Sequence, residues 1–250
     1  MSNTADLIKQ LEELNRTNAF SVFIPSLKKE IKIKNLNLKQ QKALLKTSID
    51  ETLTKLSFIS SFYSIIQENV LDNINISDLY TFDRTAIAIA LRAHSLDATY
   101  SYNDKKINLL DKVNEFTNIK TDIEFDKKIE FNGFTVELAA PKLGVDKNIS
   151  EYSFNTIKTL EDKDFKNIIG ELFVHELVKF IKSVSIMGDK PFSLEASNTK
   201  ISEIIYIVER FPSTLTSKIL EYVKSYRDLE AKFTNVGDIN IEVDGAFFSI

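Results

Sequence analysis

Six apolar residues at positions 86–91, Ala-Ile-Ala-Ile-Ala-Leu, run unbroken between Arg84 and Arg92 inside an unpunctuated segment that spans 81–96. No other stretch limits the fold as much. The alternation of alanine with isoleucine could suit a buried strand, but alanine favours helix and neither glycine nor proline interrupts the flanks, so the segment reads as a helix. A helix that is apolar all round must be enclosed. Because alanines let neighbouring backbones approach closely, this helix is expected to lie between elements on more than one side.

Ahead of it, Leu7, Ile8, Leu11 and Leu14 fall on one stripe of a helix expected over 6–16, with Asn3 or Thr4 as cap. Residues 20–24 and 30–34 alternate as short strands around a turn at Pro25 and Ser26, which predicts a hairpin. Residues 34–50 return to helical spacing, with Leu38, Leu44, Leu45 and Ile49 inward and Lys39, Lys42 and Lys46 toward water. A second helix over 50–70 carries an apolar face too wide for one neighbour, including Leu53, Leu56, Phe58, Ile59, Phe62, Tyr63, Ile65 and Ile66. It should cross the core. Ser77 or Asp78 is placed to cap the central helix.

From 98 to 142 the period changes to two, with aromatic and β-branched residues alternating and Asn132-Gly133 as a two-residue hairpin turn. One or two helical turns over 111–117 fit within this block. Pro141 and Gly144 close it, and residues to about 155 read as a polar connector. A helix is then expected from 160 or 164 to 187, with Phe165, Ile168, Ile169, Leu172, Phe173, Leu177, Phe180 and Ile181 inward, ending at Gly188 before Pro191. Another spans 197–211, capped by Asn198 or Thr199. Pro212 starts a last helix to about 233, with Leu215, Ile219, Val223 and Tyr226 on one face. A short strand and an apolar tail follow Gly237. The expectation is an α+β fold: a mainly helical body with an N-terminal β-hairpin and a β-rich middle insert, organised as 1–97, 98–150 and 151–250.

Acidic and basic residues are mixed along the chain and sum to a net charge of −4. No field is concentrated enough to collect nucleic acid phosphates. No run reaches the roughly 18 apolar residues a membrane helix needs, and the opening residues read as a charged helix rather than a signal sequence. Synthesis and residence in a cytosol are expected. Cysteine is absent, which removes disulfides, thiolate metal sites and cysteine nucleophiles.

Candidate chemistry is sparse. His175-Glu176 begins a zinc-protease signature, but position 179 holds lysine where the second histidine belongs. Glu171 and His175 lie one turn apart and could share a ligand, yet His94 is the only other histidine. A structural histidine is expected, with no metal. Arg92 and His94 suit the C-terminal dipole of the central helix, and Arg92 could alternatively hold a partner's carboxylate or phosphate. Asp122, Glu124, Asp126 and Glu130 would share one face of a continuous strand, either as paired carboxylates or, with Lys127 and Lys128 between them, as a solvated sheet face. No Gly-x-Ser-x-Gly elbow and no phosphate-cradling glycine cluster occur, so no catalytic residue and no cofactor are assigned. The tail differs in kind. Phe247, Phe248 and Ile250 are apolar where a chain end is normally polar, and they dock either within the chain or into another subunit. Together with Arg92, Leu7 and Leu11, they are the residues expected to bind a partner.

Several blocks, none of them catalytic, carry a family resemblance: FIPSLKKEIKIKNLNLKQQKALLKTSID at 23–50, ALRAHSL at 90–96, VELAAPKL at 136–143, FPSTLTSKILEYV at 211–223 and IEVDGAFFSI at 241–250. In order and spacing, the chain resembles the baseplate hub subunit and hub-assembly proteins of T-even-type contractile-tailed phages. The resemblance implies a non-enzymatic virion-assembly protein that docks to other baseplate hub or tail proteins, possesses no cofactor and could form a homo-oligomer. It would act in the host cytoplasm during assembly and could reside in the tail baseplate. Some members of that family carry a cysteine pair in the β-rich middle that looks metal-binding; this chain has none, so no metal is carried over. Two other readings stay open: a transient assembly chaperone absent from the mature virion, and an unrelated metal-dependent hydrolase using the acidic strand.

Overall fold

The computed structural model describes residues 4–49, 53–102, 105–121, 124–159, 165–186, 191–193 and 200–249. Helix α1 (Thr4–Thr17) leads into an antiparallel hairpin of β1 (Ala19–Ile24) and β2 (Lys29–Lys34). Val22, Ile24, Ile31 and Ile33 turn inward from it at period two. Helices α2 (Leu38–Thr47) and α3 (Thr54–Asn69) follow, and then α4 (Thr81–Ser95). As the alanine content suggested, the run at 86–91 is helical and every one of its residues is fully buried. The β1 hairpin strand, α9 (Ser213–Thr234) and α5 (Leu109–Glu115) pack around α4.

The middle block is strand-rich, as expected. Strands β3 (Thr99–Tyr102) and β4 (Lys105–Asn108) form one hairpin; β5 (Asp126–Phe131) and β6 (Phe134–Ala139) form another. Asn132 and Gly133 both adopt positive φ, 45° and 84°, which is the twist a two-residue hairpin turn requires. The second hairpin continues through β7 (Ile181–Ile186) into β8 (Phe192–Ser193), giving an antiparallel sheet ordered β5-β6-β7-β8. The last third of the chain thus completes a sheet begun in the middle.

The structure corrects five local expectations. Residues expected to be a polar connector form α6 (Leu143–Thr159), a helix packed on α3. Its inward face includes Ser150 and Ser153 beside Ile149 and Ile157; small hydroxyl residues allow close helix packing yet read as polar in sequence. The long helix expected to reach 187 stops early: α7 is Phe165–Val178, after a turn the alternating residues 181–186 become β7, and the next helix, α8, is Ile201–Val208. Ile169 and Phe173, expected inward, are about half exposed on α7. Leu38 on α2 and Ile49 just beyond its end are exposed, whereas Gln40 and Gln41 of α2 are buried. They bury because each has a polar partner: Gln40 bonds Asn69 and Glu68, and Gln41 bonds the carbonyl of Phe248. Finally, Ser77 and Asp78 do not cap α4. They lie in a short 3₁₀ turn capped by Asn75, and the Asp83 carboxylate serves α4 by accepting from the Tyr80 amide at 2.8 Å. The expected caps Asn3, Asn198 and Thr199, together with Gly188, lie outside the described residues.

Candidate interaction site

Both ends of α4 carry an arginine, and each enters a buried polar cluster. At the first end, Arg84 donates to Asp146 of α6, and Lys179 just beyond α7 reaches the same carboxylate at 2.8 Å. Lys179 also pairs with Glu176 at 2.5 Å. Burial alone would raise the Asp146 carboxyl, but Arg84 and Lys179 outweigh it and hold that group well below the usual carboxylate range. Burial likewise opposes charge on Lys179, which Asp146 and Glu176 overcome, so its pKa rises. Two cations face two carboxylates, and the cluster is closed electrically. Beside it Thr81 links Tyr226, at 2.9 Å, with Glu230 of α9. Burial raises the Glu230 carboxyl. These contacts tie α4, α6, α7 and α9 together.

A cleft of about 760 Å³ opens beside this cluster, between α3, the start of α4, the end of α9 and the segment 240–246. Arg84 and Glu230 reach its wall, and Phe58 and Ile59 form part of its apolar lining. Among the described residues no group of three or more His, Asp or Glu side chains is arranged to hold a metal ion.

At the other end of α4, Arg92 does not present its charge to solvent. Its guanidinium donates to the carbonyls of Phe247 and, at 2.6 Å, of Ser249, and lies over the rings of Phe247 and Tyr100. Gln41 donates to the Phe248 carbonyl at 3.1 Å, and Asp244 accepts from the Phe247 amide at 3.0 Å. Phe247 and Phe248 are 2% and 0% exposed, the latter against Phe58 and Phe62. The tail therefore docks within its own chain. Of the two placements the sequence left open for the tail, the structure has the internal one for Phe247 and Phe248, with Arg92 turned toward them. Ile250 lies outside the described residues.

The two histidines are structural. His175 is buried, meets Tyr152 edge-on at 5.5 Å and lies 3.6 Å from Glu171. Burial and then Lys179 lower its pKa, so it is neutral and forms no ion pair with Glu171 at neutral pH. His94 stacks on Phe20 of β1 at 4.1 Å. Asp126 and Glu130 are exposed on β5 and pair with Lys182 and Lys128, Glu124 precedes the strand, and Asp122 lies outside the described residues. That is a solvated sheet face.

Among the described residues, α1 presents four exposed large apolar side chains on one short helix. Its described side chains are exposed throughout, and Leu7, Ile8, Leu11 and Leu14 are each 52–59% exposed. Leu7 and Leu11 are thus the partner-binding candidates that the fold leaves open. Sequence reasoning missed the cluster around Asp146, because Asp146 stood in the supposed connector. The Glu176–Lys179 spacing was its one local signal.

A family model described as T4 bacteriophage base plate protein matches residues 17–242. No curated protein and no solved structure matches the chain.

Proposed function

We propose that this chain, which belongs to the T4 bacteriophage base plate protein family, is a non-enzymatic component of the base plate hub or of its assembly, and that it works by docking to other hub proteins. Membership gives the broader role, structure or assembly of the base plate. One observation supports docking: the apolar stripe of α1 stands open while the polar clusters at both ends of α4 are occupied by partners from the same chain. Exposed contiguous apolar side chains on one helix mark an interaction surface.

The test is complementation. Phage carrying Leu7→Asp and Leu11→Asp in this chain should assemble base plates at least roughly tenfold less efficiently, the effect expected when two anchor residues are removed. The purified double variant should melt at the wild-type temperature. Normal assembly by the variant would end the docking proposal.

A further inference from the structure

We propose that Asp83 is a proton-operated clasp: through its carboxyl group, acid fastens the β1–β2 turn to the central helix, and neutral solution lets that turn lift more often. Asp83 lies in the first turn of α4 and is 0% exposed. One of its oxygens accepts the Ser26 amide of the hairpin turn at 3.0 Å, and the other accepts the Tyr80 amide ahead of its own helix at 2.8 Å. Two elements far apart in sequence therefore meet at one buried side chain.

The surroundings decide the sign. Asp146, also buried, has Arg84 and Lys179 to hold it ionised; Asp83 has two amides and no cation beside it. Two N–H groups offset only part of the cost of burying the anion, so the acid form persists up to about pH 6. That acid also has a place for its proton, because the Ser26 hydroxyl is buried close by without a hydrogen-bond partner and can accept it. When the turn lifts, Asp83 meets water and regains an ordinary carboxyl value. Lifting thus releases a proton below pH 6 and none well above it, which makes it rarer in acid.

The neighbours that carry or can carry charge act elsewhere. Tyr80, and Tyr226 of α9, face Asp83, but burial raises both phenols and they stay neutral. Arg84 turns to Asp146, and Lys142 to Asp78. Glu230, also raised by burial, bonds Thr81 and ties α9 rather than the hairpin to α4. On the hairpin, Lys28 and Lys29 are exposed. His94, lowered by burial, stacks on Phe20 at the end away from the turn.

The test is amide hydrogen exchange of the full chain, read by NMR at Ser26 and corrected for the intrinsic pH dependence of exchange. At pH 7.5 Ser26 should exchange faster than Ile89, whose amide lies in the fully buried run of α4. Protection at Ser26 should rise roughly tenfold from pH 7.5 to pH 5, the ratio set by a carboxyl moved from 3.8 to about 6. Its midpoint should coincide with that of the Asp83 carboxyl carbon shift. The rise should persist in Glu230→Gln and in His94→Gln and vanish in Asp83→Asn; if Asp83→Asn does not fold, the shared midpoint in the unaltered chain decides. Flat protection at Ser26, protection equal to that of Ile89, a carboxyl midpoint at about 4, or a rise that survives Asp83→Asn overturns the clasp.

Discussion

Asp83 and Asp146 are buried carboxylates with opposite fates. Burial pushes Asp83 up to about 6, against hydrogen bonds from Ser26 and Tyr80, from an ordinary value of 3.8. The folded protein therefore binds this proton more tightly than the unfolded chain does. Its contribution to stability is complete below about pH 4 and is lost as pH rises through 6, on the order of 3 kcal/mol in all. Asp146 runs the other way: held low by Arg84 and Lys179, it contributes above the unfolded value and the contribution is lost as pH falls below it. Burial lowers the pKa of His94 and His175, which opposes the gain from Asp83 on acidification, so the Asp83 effect is read as a difference: in urea melts the stability of wild type relative to Asp83→Asn should grow from pH 7 to 5. Removing Asp146 is harsher. Asp146→Ala leaves Arg84 and Lys179 buried without the carboxylate they share, at a cost of about 3–5 kcal/mol, whereas replacing Arg84, Asp146, Glu176 and Lys179 together by apolar residues of similar volume should cost far less. Chemical denaturation of the two variants measures the difference.

At the scale of elements, the tail segment acts as a structural wedge. The 3₁₀ turn Ala246–Phe248 inserts two phenylalanines against α2, α3 and α4. Removing 245–250 should cost well over the roughly 3–5 kcal/mol of one buried Phe→Ala change, visible as a collapsed near-ultraviolet dichroism signal. A smaller probe is Gly245. A Cβ there would stand 2.5 Å from the Leu44 carbonyl oxygen, so Gly245→Ala should destabilise by about 1–3 kcal/mol through overpacking. Much at this scale was legible in the sequence. The central helix, both hairpin turns flanked by alternating strands, and the face of α9 follow from local period and turn chemistry. What was hidden has a common cause. The buried face of α6 is written partly in serine, the burial of Gln40 and Gln41 depends on Asn69 and Phe248 far along the chain, and β7 is a strand because β6 lies beside it. Long-range partners override local pattern in each case. The candidate site divides the same way: the α1 stripe could be read directly, but the placement of Arg92 and Phe247 required the fold.

For the whole molecule, the family assignment gives a role in the structure or assembly of the base plate. Whether the chain stays there has a direct measurement. Quantitative mass spectrometry of purified particles should find it at a fixed copy number per base plate if it is a component; its absence from particles that need it for assembly would identify a transient factor instead. The tail wedge also sets a schedule for synthesis. Arg92 awaits a carbonyl 155 residues further along, and at about 5–20 residues per second the ribosome needs roughly 8–30 s to deliver it. During that interval Phe58, Phe62 and the arginine lack their tail partners, so the core helices emerge early but can be sealed only once residues 247–249 have been added.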